Sequence, residues 1–259
     1  MKIAVLVSVG RHPVSGTARY SRNDAAALGI ALSLAKQHAA TLDVLHAGDP
    51  SSPALSEYLA LGARSVEVLD LSSTPEPHAD AAPPLAARLK GYDLVLTGTR
   101  AEGAFDSGML PYRVANALEI PLVGAAVDLT IRDGCAEIRQ FMPKGLRRRV
   151  EVGLPALVAV HPLANATPGY AYARLREGTI RAVPAQAAIH ADDRLAWTTR
   201  PATARPVRLA AAEKRSGHAR MLSATTTENR GGNVVIEGSS VEKAQVILAY
   251  LREHQLVDY

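Results

Sequence analysis

The sequence predicts an α/β fold: a doubly wound, mostly parallel sheet with added antiparallel strands and a C-terminal arm. Three observations carry that expectation. Apolar runs rich in β-branched residues, such as IAVLVSV at 3–9 and DLVLTG at 93–98, are too uniform for half-exposed strands and read as strands covered on both faces. Short stretches with helical spacing lie between them, and strands alternating with helices imply parallel, right-handed crossovers. From about residue 184 this alternation gives way to a Pro-, Thr-, Ala- and Arg-containing stretch with no steady period.

Taken in order, IAVLVSV is the first strand, and Asn23-Asp24 can cap the helix that follows. Leu28, Ala31, Leu32 and Ala35 share one face of that helix. TLDVLHA (41–47) is the second strand. Ser52-Pro53 opens a helix with Leu55 and Leu59 facing inward, and Gly62 ends it. SVEVLDL (65–71) is the third strand, residues 83–90 a short helix, and DLVLTG the fourth strand. A glycine-containing loop and a helix over about 109–118 come next, and PLVGAAVDL (121–129) is the fifth strand. CAEIRQFM (135–142), LRRRVEV (146–152) and LPALVAV (154–160), joined by Gly-containing turns, are expected as antiparallel additions. Two regions follow from this reading: an α/β domain over 1–183, and over 184–259 an arm ending in an amphipathic helix. Ser239 and Glu242 form a capping box for that helix, and Ala244, Ile247, Leu248 and Leu251 line one face.

Of 259 residues, 47% are hydrophobic and 21% charged, a globular balance with ample length for a core. Aromatics are only 4%, so the core is built from Ala, Val, Leu and Ile. The formal charge is +4, without a basic stripe interleaved with aromatics, which speaks against nucleic-acid binding. One cysteine, Cys135, offers neither a disulfide nor a zinc cluster. The start, MKIAVLV, enters a strand pattern directly, and no apolar run is long enough to span a membrane. The expectation is a protein of the reducing cytoplasm.

The loop after DLVLTG lacks the Lys-Ser/Thr of a phosphate-transfer loop and the G-x-G-x-x-G order of a dinucleotide fingerprint. No G-x-S-x-G elbow occurs, and no histidine pair stands at i, i+4. His161, at a strand end, reads as a structural histidine. Arg147-Arg148-Arg149 reads as a solvated outer strand or a contact with an acidic partner, since alternate strand residues point to opposite faces. No residue set pairs a nucleophile with a base. A binding module is expected, not an enzyme with its own catalytic residues.

Several segments, in order, resemble the beta subunit of electron transfer flavoproteins. They are IAVLVSV, NDAAALGIALSLAK, SEYLALGARSVEVLD, DLVLTGTRAEGAFDSGMLPYRVANALEIPLVG, LPALVAVHPLANATPGYA and GGNVVIEGSSVEKAQVILAYLREHQLV. The resemblance implies an adenine-nucleotide-binding α/β fold holding a structural AMP. It implies pairing with an alpha subunit that holds most of the redox FAD, wrapped by residues 184–259. It also implies electron flow from flavin-dependent dehydrogenases to a quinone oxidoreductase at the membrane, with no membrane insertion of this chain. The matching nucleotide positions are Ser8, Val9, Asn23, Ala47, Gly98, Thr99, Arg100, Asp106, Ser107 and Gly108. The family's usual first-loop Lys is Gly10 here, its Asn-Pro-Phe is Ser21-Arg22-Asn23, and its nucleotide loop is shortened. Its docking loop, which often carries a leucine after Pro-x-Tyr, reads Tyr170-Ala171-Tyr172-Ala173-Arg174-Leu175. Two other readings compete. A free-standing universal-stress-type module would not need so long a C-terminal extension. An adenylating enzyme would need a phosphate loop that Gly10-Arg11-His12-Pro13 does not provide.

Overall fold

The computed structural model describes residues 1–71, 80–102, 108–164, 166, 168–185, 216–218, 221, 237–253 and 256–257. The chain divides into two units, Met1–His190 and Ala191–Tyr259.

The first unit is built on a nine-stranded sheet. Its strands are β1 (Lys2–Val7), β4 (Thr41–Gly48), β5 (Ser65–Asp70), β6 (Leu94–Gly98), β7 (Leu122–Arg132), β8 (Cys135–Phe141), β9 (Arg147–Gly153), β10 (Ala156–Val160) and β11 (Thr179–Pro184). They lie in the order β11-β5-β4-β1-β6-β10-β7-β8-β9, while β2 (Val9–Arg11) and β3 (Ala18–Tyr20) form a separate hairpin. The run from β11 to β7 is parallel, and β8 and β9 are antiparallel additions.

Both faces of the parallel part are covered, as the uniform apolar runs predict. On one face Ile3, Val5 and Val7 meet α1 (Arg22–Gln37) through Leu28, Ala31 and Leu34, and α2 (Ala54–Ala60) through Leu55 and Leu59. On the other, Ala4, Leu6, Val95 and Leu157 meet Leu85 of α3 (Ala82–Arg88) and Val114 of α4 (Leu110–Leu118). Burying each Leu, Ile or Val is worth roughly 1.5–3 kcal/mol, so the two-sided apolar pattern fixes the layering.

Four local expectations are corrected. The first strand stops at Val7 rather than residue 9, because the Ser8 backbone N–H donates to Asp24 and its carbonyl accepts from Tyr58 instead of a neighbouring strand. Asn23-Asp24 is not the cap of α1. Ser21 is, its hydroxyl accepting from the Asp24 N–H, and both Asn23 and Asp24 lie buried in the first turn. Residues 156–160 are not antiparallel: β10 lies parallel between β6 and β7 and is buried along its whole length. After edge strand β9 the chain returns to the centre, where a run apolar at every position is needed. Finally, β11 and the short α5 (Arg174–Glu177) were not foreseen. The largely exposed TIRAVP has no burial pattern of its own and becomes a strand by pairing with β5 and by the Arg181–Glu67 ion pair at 2.6 Å.

In the second unit, α6 (Ser240–Glu253) carries the expected capping box: the Ser239 N–H donates to Glu242 at 2.7 Å and the Glu242 N–H to Ser239 at 3.3 Å. Most of the arm lies outside the described residues.

Gly29 in α1 is a packing necessity. A Cβ built there would overlap the backbone carbonyl of Ala166, in the stretch after β10 that crosses the helix. In an open helix, Gly→Ala stabilises by roughly 1 kcal/mol. Here the sign reverses: Gly29→Ala is expected to destabilise by about 1–3 kcal/mol in urea unfolding. A stabilised variant would show that the crossing does not press on the helix.

Candidate functional site

The connections define where a ligand can enter. From β1 the chain moves outward through β4 and β5, then returns past β1 to β6 on its other side. The connections leaving β1 and β6 pass to opposite faces of the sheet, α1 on one and α4 on the other. In folds of this kind the crevice beyond the carboxyl ends of the strands at such a switch point is where ligands bind. In register, Val5 pairs with Leu96, and Gly98 at the end of β6 pairs with Val160 of β10. Ala47 lies near the end of neighbouring β4 and pairs with Leu69.

The crevice is held by a carboxylate. Asp24, 2% exposed, accepts from the Ser8 N–H at 2.8 Å, the Ser8 hydroxyl at 2.6 Å and the Gly98 N–H at 2.9 Å. One side chain on α1 therefore joins the ends of two central strands. Burial pushes its carboxyl up to about 7, against the lowering effect of the donors around it. Behind it, the fully buried Tyr58 donates to the Ser8 carbonyl at 2.6 Å and accepts from the Ser21 N–H at 2.9 Å. Burial, then the charge on Asp24, pushes that phenol well above its ordinary range. In front, the Glu102 N–H donates to the Ser8 hydroxyl at 3.0 Å.

Seven of the ten residues singled out by sequence converge here. Ser8 and Val9 follow β1, Ala47 lies on β4, and Gly98, Thr99 and Arg100 close β6, while Asn23 starts α1. A Cβ on Gly98 would overlap Asp24 and lie 2.7 Å from the Asn23 Cβ, so this glycine serves the approach of α1 to β6. Gly108, the eighth, is different. Its φ is +72°, and a Cβ would find Thr99 O at 3.5 Å and Arg100 Cβ at 3.9 Å, ordinary contacts that leave room. It stands just before α4, whose first turn holds no acidic residue. Asp106 and Ser107 lie outside the described residues. Asp24, Tyr58 and Glu102 escaped the sequence reading. The signals present were an acid in the first turn of an otherwise apolar helix and a single tyrosine on the buried face of α2.

Next to the crevice, His46 is 7% exposed; one ring nitrogen lies 2.8 Å from the Val7 carbonyl, and burial lowers its basicity. A Cβ on Gly48 would stand 2.6 Å from the other nitrogen. His161 accepts from the Leu163 N–H and stacks on Phe141 at 4.3 Å, with Arg147 over the far side of Phe141. That is a structural histidine. Arg149 pairs with Glu137, and no group of His, Cys, Asp and Glu suited to a metal occurs among the described residues. A shallow cleft at the opposite end of the sheet, lined by Lys90, Tyr92, Asp93, Ile120 and Pro155, lies away from the switch point. No described helix is long and apolar enough to cross a membrane.

Comparison with known proteins agrees with this architecture. A family model described as the electron transfer flavoprotein domain matches residues 15–188. The electron transfer flavoprotein subunit beta of Chromohalobacter salexigens is 36% identical over 264 residues, which cover 99% of this chain and 96% of that protein.

The Asp24 site makes a pH prediction. Its folded pKa of about 7 lies above the ordinary aspartate value of 3.8, so the folded state holds the proton more tightly. The stabilisation from that proton is complete below pH 4 and is lost as pH rises through 7. Asp24→Asn cannot ionise and lacks this slope. Urea unfolding at pH 5 and pH 8 should find the variant less stable at both, with the gap narrower at pH 8. A gap that widens at pH 8 would mean that Asp24 is the ionised partner of its donors throughout.

Proposed function

The chain belongs to the electron transfer flavoprotein family, and from that premise we propose that it is the beta subunit of an alpha–beta electron carrier. In this reading its crevice holds a structural AMP, and the alpha subunit holds most of the FAD that carries the electrons. The observation that carries the proposal is a full-length likeness to a beta subunit joined to a switch-point crevice bordered by small residues and a helix whose first turn holds no acid.

The fit of AMP can be judged residue by residue. The amino end of α4 offers the positive pole of a helix whose first turn holds no acid, and Gly108 leaves room beside it. Ala47 presents little bulk near the end of β4. Ser8 is spent: its N–H and hydroxyl both serve Asp24, and its carbonyl serves Tyr58. Its role is therefore to shape the site rather than to grip a ligand. The reading assigns no bond-making step to any residue of this chain.

Residues 184–259 are proposed to wrap the alpha subunit. Ile247 and Tyr250 on α6 are exposed, the surface an amphipathic helix keeps for a partner. The stretch after β10 is proposed to meet the dehydrogenase donor. It presents Tyr170 and Tyr172, 5.4 Å apart edge to face, with Tyr172 77% exposed. The quinone oxidoreductase acceptor follows from the family premise alone. The universal-stress alternative gains nothing from a 36% identity that runs through the C-terminal extension.

Two substitutions at Gly108 separate charge from shape. Asn and Asp both tolerate a positive φ and have the same size. Co-purified with the alpha subunit and extracted, wild type should release about one AMP per pair. Gly108→Asn should retain most of it, and Gly108→Asp should lose it by about tenfold or more, since a unit charge beside a phosphate opposes it. Equal AMP content in the two variants would remove the phosphate from this end of α4.

A further inference from the structure

Glu102 closes one side of the crevice. Its N–H donates to the Ser8 hydroxyl at 3.0 Å. One carboxylate oxygen accepts from the Ser21 hydroxyl at 3.2 Å, and the other from the Arg19 guanidinium at 2.8 Å. The Glu102 side chain is only 12% exposed, and a Cβ on Gly10 would overlap its carboxylate. The lack of a side chain at position 10 is thus what lets the carboxylate lie against β2. Arg19 also reaches the carbonyls of Arg11 and Tyr20, so its fork is turned to the hairpin.

Ser21 caps α1, which places Glu102 at the positive pole of that helix. Asp24 fills the same pole from within the first turn. In doubly wound sheets the helix after the first strand takes a ligand's phosphates on its free N–H groups. Here two of the chain's own acids stand there. At α4, on the other face of the sheet, the first turn carries no acid.

We propose that Glu102 is a specificity-determining residue: held by Arg19 and Ser21, its carboxylate closes the α1 end of the crevice to phosphate and restricts the site to an adenine mononucleotide. A monophosphate needs one anion position, which α4 supplies. A second phosphate, as in ADP or the pyrophosphate of FAD, must enter the remainder of the crevice, where the carboxylate opposes it. The proposal rests on the reading of the crevice as an adenine-nucleotide site.

The test is calorimetric titration of the full-length chain, freed of nucleotide, with AMP and with ADP. Wild type should prefer AMP by about tenfold or more, the scale of one unfavourable charge contact. Glu102→Gln keeps the size and one of the two acceptor oxygens while removing the charge, and should cut the preference to about threefold or less with AMP affinity nearly unchanged. Arg19→Gln leaves the carboxylate uncompensated and should widen the preference, a shift in the opposite direction that a folding defect does not produce. A purely structural Glu102 would lower both affinities together and leave their ratio alone, which overturns the proposal. Wild type binding AMP and ADP equally overturns it too, while leaving the nucleotide reading intact. Wild type binding neither overturns both.

Discussion

Asp24 is the constraint on which the crevice depends. The sheet ladder joins β1 and β6 only as far as Val5 and Leu96, and beyond that pair another group must tie the two chains together. Here a carboxylate from α1 accepts from Ser8 after β1 and from Gly98 at the end of β6, fixing the width of the opening. The cost of burying that group is shown by its raised pKa, and the hydrogen bonds offset part of it. Tyr58 and Ser21 then hold the other sides of Ser8 and the helix start, so the first βα turn is a closed set of polar bonds within an apolar core.

A consequence is a division of labour between the two helices that flank the opening. The amino end of α1 is spent on the chain's own groups: Asp24, Ser21 and Glu102. The first turn of α4 carries no acid. On the proposed reading, a ligand anion belongs at that end of α4, beside Gly108. That arrangement suits a nucleotide held for structure, in a subunit whose partner holds the redox group.

Much of the fold was legible because the parallel strands carry their burial in their composition. IAVLV, LVLTG and ALVAV are apolar at nearly every position, and the helices between them have clear inner faces. What escaped was set by tertiary contact. Chain order points to antiparallel placement of 154–160, but the position between β6 and β7 takes a parallel strand that is apolar throughout. TIRAVP has no period and is a strand because Glu67 and the edge of β5 are there to receive it. The site was legible by resemblance as a cluster of strand ends. Its governing residues were not, because the partners of Asp24 stand 16 and 74 positions away and no local pattern announces them.

The central claim is that this chain is a carrier subunit that leaves the flavin to its partner. Flavin stoichiometry by visible absorbance, measured on the chain alone and on the purified alpha–beta pair, tests it most directly. The account predicts a colourless single chain and about one flavin per pair. A single chain that purifies yellow with stoichiometric flavin, or a pair carrying two, would contradict it.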